Sequence, residues 1–356
     1  GTVVCWGDRA AGGDAARLQA ALHGGESVRQ VAASARAFAA VLEDGSVVSW
    51  GMREFGSDSY EVRDLLVNIQ EVTASYGAFA ALRADGQLVS WGNPLYGGCH
   101  SPAVRAKLRD VSSVCASAEA FAALRHDGFV VTWGHPESGG CSGPVQDQLR
   151  NVIALSASYG AFAALRSDGR VVTWGDDTFG GDSSAVRAEL QEVVAVEGSQ
   201  AAFAALRADG SVVTWGRFVP PMTMPAPTAP SLRRLTASSK AFAATTLEGH
   251  VSCWGDAEFG GDCSMVQDQL SGVEELHATH GAFAAILKSG QVVTWGHADY
   301  GGDSSMVQQQ LSNVLHVQAS FGAFAAITGD GQVVTWGDAD SGGDSRAVKE
   351  QLQKVQ

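Results

Sequence analysis

The hydrophobic and polar positions of the chain follow one pattern that recurs about every 41 residues. Each copy begins with an apolar run, Val-x-x-Val-x-Ala-Ser, and continues with Ala-Phe-Ala-Ala. A polar turn ending in Gly follows, and the copy closes with a β-branched run that ends in Trp-Gly. Asp-Gly between two β-prone runs predicts a hairpin, because glycine accepts a positive φ without a Cβ clash. A fixed period of this size indicates a repeat architecture.

The repeat boundaries follow from this pattern. A partial repeat covers residues 1–27, and complete repeats are predicted to begin near residues 28, 69, 111, 152, 193, 232, 273 and 314. Residues 1–356 are expected to form a single repeat domain. The connection after each Trp-Gly predicts about two turns of helix, since Val186, Leu190 and Val193 recur at helical spacing after the candidate caps Asp182 and Ser183. Each repeat is therefore expected to hold three strands and a short helix.

The repeated aromatic and small residues are candidates for the core. The Trp-Gly tryptophans are expected to pack between adjacent repeats, since a buried indole contributes a large apolar area. Ligand stacking is the alternative. The Ala-Phe-Ala-Ala run carries small side chains, which suit a strand crowded near a central axis. The structural candidates are Trp50, Trp91, Trp133, Trp174, Trp215, Trp254, Trp295 and Trp336.

One connection departs from the pattern. Residues 217–231 hold five of the nine prolines, which prevent a helix because proline lacks an N–H donor. The segment is interpreted as a degenerated loop or, alternatively, as a polyproline-like docking strip.

Charge and apolar content restrict the class of protein. The formal net charge of −14 opposes binding to nucleic acid, which needs clustered Lys and Arg. The apolar runs are too short for a transmembrane segment. Six cysteines without a Cys-x-x-Cys pair read as scattered single substitutions, which favours a soluble protein in a reducing intracellular compartment. No signal segment is visible, and the chain begins inside a repeat.

Catalytic chemistry is not predicted. The chain has no nucleophile elbow and no phosphate loop. His277 and His280 are the closest histidine pair, and they are expected to face solvent rather than to bind a metal. The sequence thus predicts no enzyme, no cofactor, no metal site and no small-molecule substrate.

The positions that vary between repeats are the candidates for partner binding. Each Val-x-x-Val-x-Ala-Ser run is followed by two positions whose residues differ between repeats. Loops on a rigid repeat scaffold are common sites of partner binding. Aromatic side chains dominate interface hot spots, although ordinary turn residues are an equal alternative. The candidates are Tyr76, Glu119, Tyr159, Gln200, Lys240, His280 and Phe321.

The run Asp-Gly-x-Val-Val-Thr-Trp-Gly, followed by an aromatic-Gly pair and Val-x-x-Val-x-Ala-Ser, resembles the repeat of the regulator of chromosome condensation superfamily. The resemblance covers the whole chain and implies an all-β β-propeller, here of seven to nine blades. Eight Ala-Phe-Ala-Ala runs stand against nine Trp-Gly pairs, so an open superhelical array is the alternative. None of the family's functional residues can be carried over by position.

Composition and resemblance together favour a non-enzymatic scaffold for protein partners, as a structural subunit of a larger assembly. The resemblance also implies two alternatives: a guanine-nucleotide-exchange or chromatin-type regulator, and the substrate-recognition arm of a ubiquitin ligase.

Overall fold

A computed structural model describes residues 3–14, 27–217, 222–224 and 232–352. This part of the chain contains eight antiparallel sheets and is all-β apart from short helical turns. It divides into two compact units, Gly1–Val193 and Val194–Gln356, which are described separately. The interpretation of the chain as a single domain stays a prediction. No helix in the described ranges is long and apolar enough to cross a membrane.

Three consecutive strands form one blade, in the order first, middle, third. Blades 1–4 lie in the first unit, and blades 5–8 lie in the second, apart from the first residue of blade 5. The blades are β1–β3 (Val28–Ala33, Ala37–Leu42, Val47–Gly51), β4–β6 (Ile69–Ala74, Ala78–Arg83, Leu88–Gly92), β7–β9 (Val111–Ala116, Ala120–Arg125, Val130–Gly134), β10–β12 (Val152–Ala157, Ala161–Arg166, Val171–Gly175), β13–β15 (Val193–Gly198, Ala202–Arg207, Val212–Gly216), β17–β19 (Leu232–Ala237, Ala241–Thr246, Val251–Gly255), β20–β22 (Val273–Ala278, Ala282–Leu287, Val292–Gly296) and β23–β25 (Val314–Ala319, Ala323–Thr328, Val333–Gly337).

The Ala-Phe-Ala-Ala run forms the middle strand of every blade, and in blades 2–7 both of its faces are buried. In blade 3, the methyl groups of Ala120 and Ala122 lie in one core cluster with Phe162 and Trp174 of blade 4. The opposite face of the same strand, with Phe121, packs against blade 2. Since side chains alternate across a strand, small and large residues from neighbouring blades interlock. The small residues thus make room for the aromatic rings of the next blade.

A stacked Phe–Trp pair recurs in all eight blades. Phe162 and Trp174 are directly opposite on adjacent strands, and their ring centroids are 5.3 Å apart at an interplanar angle of 17°. Trp174 Nε1 donates a hydrogen bond of 3.0 Å to the carbonyl oxygen of Gly139 in the preceding connection. The indole therefore lies between adjacent blades with its one polar atom satisfied.

The glycine that accepts this bond has little room for a side chain. Gly97, which accepts from Trp133 Nε1 at 3.0 Å, has a φ of 89°. A Cβ at Gly97 would lie 2.6 Å from the ring of Phe121. The left-handed backbone and the close ring together explain why the second residue of the aromatic-Gly pair is glycine.

The predicted short helical segments are present in the connections after blades 1–4 and 6–8, but they are mostly 3₁₀ turns and not an α-helix of about two turns. The described connections instead hold one four-residue α-helix, α1 (Pro102–Arg105), and short turns. Asp182 Oδ1 accepts from Ser184 N at 2.8 Å, whereas Ser183 caps nothing and bonds Thr173 through its hydroxyl. This local bond favours tight turns over a helix. The turns are 3₁₀ helices (Arg53–Phe55, Tyr60–Leu65, Pro94–Tyr96, Gly143–Gln148, Asp177–Phe179, Ser184–Val186, Ala257–Phe259, Ser264–Gln269, Ala298–Tyr300, Gln308–Gln310, Arg346–Val348) and π-type turns (Arg9–Gly13, Pro136–Gly140, Ala339–Gly343).

One polar link between the third strand and its connection has changed chemistry in blade 6. Thr132 and Ser142 are joined by a hydroxyl–hydroxyl bond of 3.0 Å in blade 3, and blades 4, 7 and 8 repeat this link. In blade 6 the equivalent residues, Cys253 and Cys263, form a disulfide. These two cysteines are therefore a pair, and not the independent substitutions expected from the sequence.

The proline-rich connection contributes a strand. β16 (Met222–Met224) pairs antiparallel with the third strand of blade 5, whose sheet has four strands. Apart from Arg217 and these three residues, the segment 217–231 lies outside the described residues, and so does its proposed docking role.

Candidate interaction surface

The predicted partner-binding residues lie in a short loop between the first and middle strands of each blade, here called the tip. A serine before the tip fixes this loop. Ser158 Oγ donates to the carbonyl oxygen of Phe179 at 2.7 Å and accepts from Ala161 N at 3.1 Å. The tip is thereby tied both to the middle strand and to the connection that follows the blade.

Backbone hydrogen bonds join the tips of neighbouring blades. In the first unit, Tyr76 N donates to the Ala118 carbonyl oxygen at 2.8 Å, and Ala118 N donates to that of Tyr159 at 2.8 Å. In the second unit, His280 N donates to the Phe321 carbonyl oxygen at 2.8 Å. The tips of blades 1–4 in the first unit, and those of blades 6–8 in the second, thus form continuous, preorganised rows.

The aromatic tips of the first unit stack on aromatic residues of the connections. Tyr76 lies between Phe55 and Tyr96, with ring centroids 5.7 and 5.5 Å away, and Tyr159 lies 5.4 Å from Phe179. Tyr76 and Tyr159 remain 42% and 41% exposed. Partial burial, followed by the nearby carboxylate of Glu119, raises the pKa of Tyr159. These phenols combine fixed rings with accessible edges.

The second unit has a denser aromatic group. His280 stacks on Phe321, with centroids 4.5 Å apart, and also contacts Tyr300 and Phe259. Phe321 is 63% exposed. Burial, followed by the charge of Lys240, lowers the pKa of His280, which favours the neutral imidazole. The group therefore presents apolar ring surface.

The charged tips cover their own connections. Lys240 Nζ lies 3.9 Å from the ring centroid of Phe259, a cation–π distance. Glu119 accepts a hydrogen bond of 2.8 Å from Ser138 Oγ and lies 3.6 Å from His135 Nδ1. Gln200, at the tip of blade 5, is half-buried. Apart from Gln200, the predicted candidates thus fall into the tip rows of their respective units.

The connection aromatics are interaction candidates that sequence reasoning missed. A Cβ at Gly77 would lie 2.5 Å from the ring of Tyr96, and one at Gly160 would lie 2.8 Å from Phe179. The second tip residue is thus glycine in these blades because a ring occupies its side-chain position. The pairing of an aromatic-Gly tip with an aromatic-Gly connection is a signal visible in the sequence. The missed residues are Phe55, Tyr96, Phe179, Phe259 and Tyr300.

A second polar group lies on the first strands of the second unit. The expectation that His277 and His280 form one solvent-facing pair is wrong, because both are half-buried and have different neighbours. His277 contacts Glu275 and His316, whereas His280 belongs to the aromatic group. Glu197, on β13, is also withdrawn from water, and burial raises its pKa from 4.5 to about 7 against the opposing charge of Arg234.

The fold and this surface define an all-β repeat protein whose propeller-type blades present aromatic tips. Residues 152–180 match the sequence model of the regulator of chromosome condensation (RCC1) repeat. The sequence pattern of this matched unit recurs about every 41 residues through the chain. No curated protein matches the chain in sequence.

Three solved structures illustrate the likeness of fold. Prp20p from Saccharomyces cerevisiae is 15% identical, with 76% of this chain and 72% of that chain covered and a TM-score of 0.47. The CRINKLY WD40 ectodomain of the Arabidopsis thaliana receptor kinase ACR4 is 18% identical, with 76% and 96% covered and a TM-score of 0.46. Human WBSCR16 is 17% identical, with 74% and 83% covered and a TM-score of 0.48. Likenesses this distant assign no function.

Proposed function

We propose that the chain is a non-enzymatic scaffold for protein–protein interaction, and that its tip rows contact the partner. The observation that carries this proposal is the set of partly exposed aromatic rings held in fixed positions in both units. Rigid aromatic side chains contribute much contact area and lose little conformational entropy on binding, which makes them common hot spots.

The tip rows also differ in chemistry within one framework. In the first unit Tyr76 and Tyr159 offer phenol hydroxyls, and Glu119 lies close enough to Tyr159 to raise its pKa. In the second unit Phe321 and His280 offer stacked rings. A protein partner can match such a mixture of ring faces and isolated charges. This pattern supports a scaffold that is specific for its partner.

Alanine variants at the tips test this proposal. We expect Tyr76→Ala with Tyr159→Ala, or His280→Ala with Phe321→Ala, to release the partners that co-purify stoichiometrically with the wild type after gentle extraction. The free energy of unfolding should fall by less than about 1 kcal/mol for each substitution, because all four side chains are partly exposed. Sizing, mass spectrometry and chemical denaturation measure these effects.

Tyr60→Ala provides a matched control, since Tyr60 is an aromatic residue on a connection and is 70% exposed. This variant should keep the wild-type partners. Equal recovery of the same partners with tip and control variants would contradict the proposal. Stimulation of nucleotide release from a small GTPase by the purified chain would instead favour the exchange-factor alternative.

A further inference from the structure

The first strands of blades 7 and 8 bring three metal-ligating side chains together. Glu275 and His277 lie two residues apart on β20 and therefore on the same face. His316 lies on the neighbouring β23, at the repeat position equivalent to Glu275. The potential ligand atoms of these three residues all lie within 4.8 Å of one another.

The distances converge on one carboxylate oxygen. His277 Nε2 lies 3.2 Å and His316 Nδ1 lies 3.7 Å from Glu275 Oε2. A tetrahedral Zn²⁺ ion with bonds of about 2.0–2.1 Å separates its ligand atoms by about 3.3 Å. Each imidazole nitrogen is thus close to the separation from the carboxylate oxygen that a bound ion requires, and small rotations of the half-buried side chains reach it.

A neighbouring amide can orient one of the imidazoles. Gln318, on the same face of β23, has its amide nitrogen 2.7 Å from His316 Nε2, and in this orientation the amide donates and the neutral imidazole carries its proton on Nδ1. When the amide oxygen faces this nitrogen, Nε2 carries the proton and the lone pair of Nδ1 is free for a metal. An outer partner of this kind fixes the tautomer of a metal-bound histidine. Oxygen and nitrogen of an amide exchange by a half-turn of the group.

We propose that Glu275, His277 and His316 form a Zn²⁺-binding site that links the first strands of blades 7 and 8. Two imidazoles and one carboxylate are ligands that Zn²⁺ takes, whereas Ca²⁺ and Mg²⁺ prefer oxygen ligands throughout. Three protein ligands leave a fourth position for water or for a donor group of a partner. The positive charge of Arg234 is close enough to His277 to lower its pKa and therefore opposes a cation at this site. The negative charge of the Glu275 carboxylate acts in the opposite direction.

Metal titration of the purified chain tests the site. We expect calorimetry to show one Zn²⁺ per chain, and Co²⁺ to give the visible absorption of a tetrahedral complex. His277→Gln, His316→Gln and Glu275→Gln should each weaken binding by more than about tenfold, because loss of an outer partner alone has an effect of that size. Zn²⁺ should also raise the melting temperature, since it binds the folded chain.

His250→Gln is the control variant. His250 Nδ1 lies 3.7 Å from Glu248 Oε2, which is an exposed imidazole–carboxylate pair on a hairpin of the same unit. This variant should bind Zn²⁺ like the wild type, and circular dichroism should show that every variant is folded. No saturable binding, or equal binding by His277→Gln and His316→Gln, would overturn the proposal.

X-ray absorption of the Zn²⁺-loaded wild type tests the ligands without any substitution. A first shell with two imidazoles is the expected result. A shell without imidazole means that the ion is bound elsewhere and refutes the site.

Discussion

Two regions of the same blades differ in how strictly they repeat. One is the framework of stacked Phe–Trp pairs, and the other, called the edge below, consists of the tips and the first strands. In the framework, every blade repeats one ring stack, and Trp174 Nε1 has the same kind of partner as Trp133 Nε1. At the edge, equivalent positions hold Tyr76 in one blade and Ala118 in the next, on the same backbone hydrogen bonds. The difference teaches that the repeat conserves its packing geometry and varies its chemistry where side chains meet solvent.

Truncation of the framework should have the largest effect. Trp174→Ala removes a ring that is 4% exposed and leaves the Gly139 carbonyl oxygen unpaired. We expect the free energy of unfolding to fall by about 3–5 kcal/mol, as for other large core truncations. Chemical denaturation measures the change, and Tyr159→Ala in the same blade is the edge control. An unchanged unfolding midpoint for Trp174→Ala would remove the distinction between framework and edge.

Among substitutions at the edge, replacement of Glu197 should have the largest effect on the free energy of unfolding, and this effect should depend on pH. Its pKa rises from 4.5 to about 7 in the folded protein, so the folded state holds a proton that the unfolded state has lost between these values. Its contribution is therefore fully present below pH 4.5 and is lost as the pH rises to about 7. The shift corresponds to at most about 3 kcal/mol.

Glu197→Gln isolates this contribution. The variant should gain stability relative to the wild type at pH 8 and differ little at pH 4.5, as measured by urea unfolding at both values. A stability difference that does not change with pH would show that Glu197 titrates normally and that the edge is fully solvated there.

The disulfide of blade 6 should have the smallest effect of the three. Replacing Cys253 by Thr and Cys263 by Ser removes the link but restores the residues that form a hydrogen bond in blade 3. Loss of a disulfide that closes a loop of this length lowers the free energy of unfolding by about 3 kcal/mol, and the restored hydrogen bond returns about 1 kcal/mol. We therefore expect a net loss of about 2 kcal/mol. Calorimetry of the oxidised protein measures it. Six free thiols instead of four in wild-type protein prepared without reductant would contradict the disulfide.

The sequence predicts the framework well, because its period places each Phe, Trp and turn glycine eight times over. Hairpins and strands follow from local patterns of β-branched residues and Asp-Gly turns. The connections were predicted less well. Their apolar residues have helical spacing, but Asp182 bonds the backbone two residues ahead and shortens the helix to a 3₁₀ turn.

Only part of the candidate surface can be predicted from the sequence, because some of its contacts form only when the chain folds. The tips could be found because they vary, whereas the ring of Tyr96 becomes part of this surface only when the chain folds it over Gly77. The group of Glu275, His277 and His316 needs two strands to be placed side by side, which the period suggests only after equivalent positions are superposed. Single-residue patterns cannot show either kind of contact.

The hydrogen bonds between tips use main-chain atoms alone, and this has a consequence for how the protein can change. Substitution at a tip leaves the main-chain bonds between neighbouring tips in place. The side chains of one blade, here called a cassette, can therefore change without disturbing its neighbours. The cassette must be exchanged as a unit, since Glu119 with Ser138 and Gly160 with Phe179 are matched pairs. A partner-binding surface can therefore be rewritten blade by blade, by evolution or by an engineer, without redesign of the scaffold that carries it.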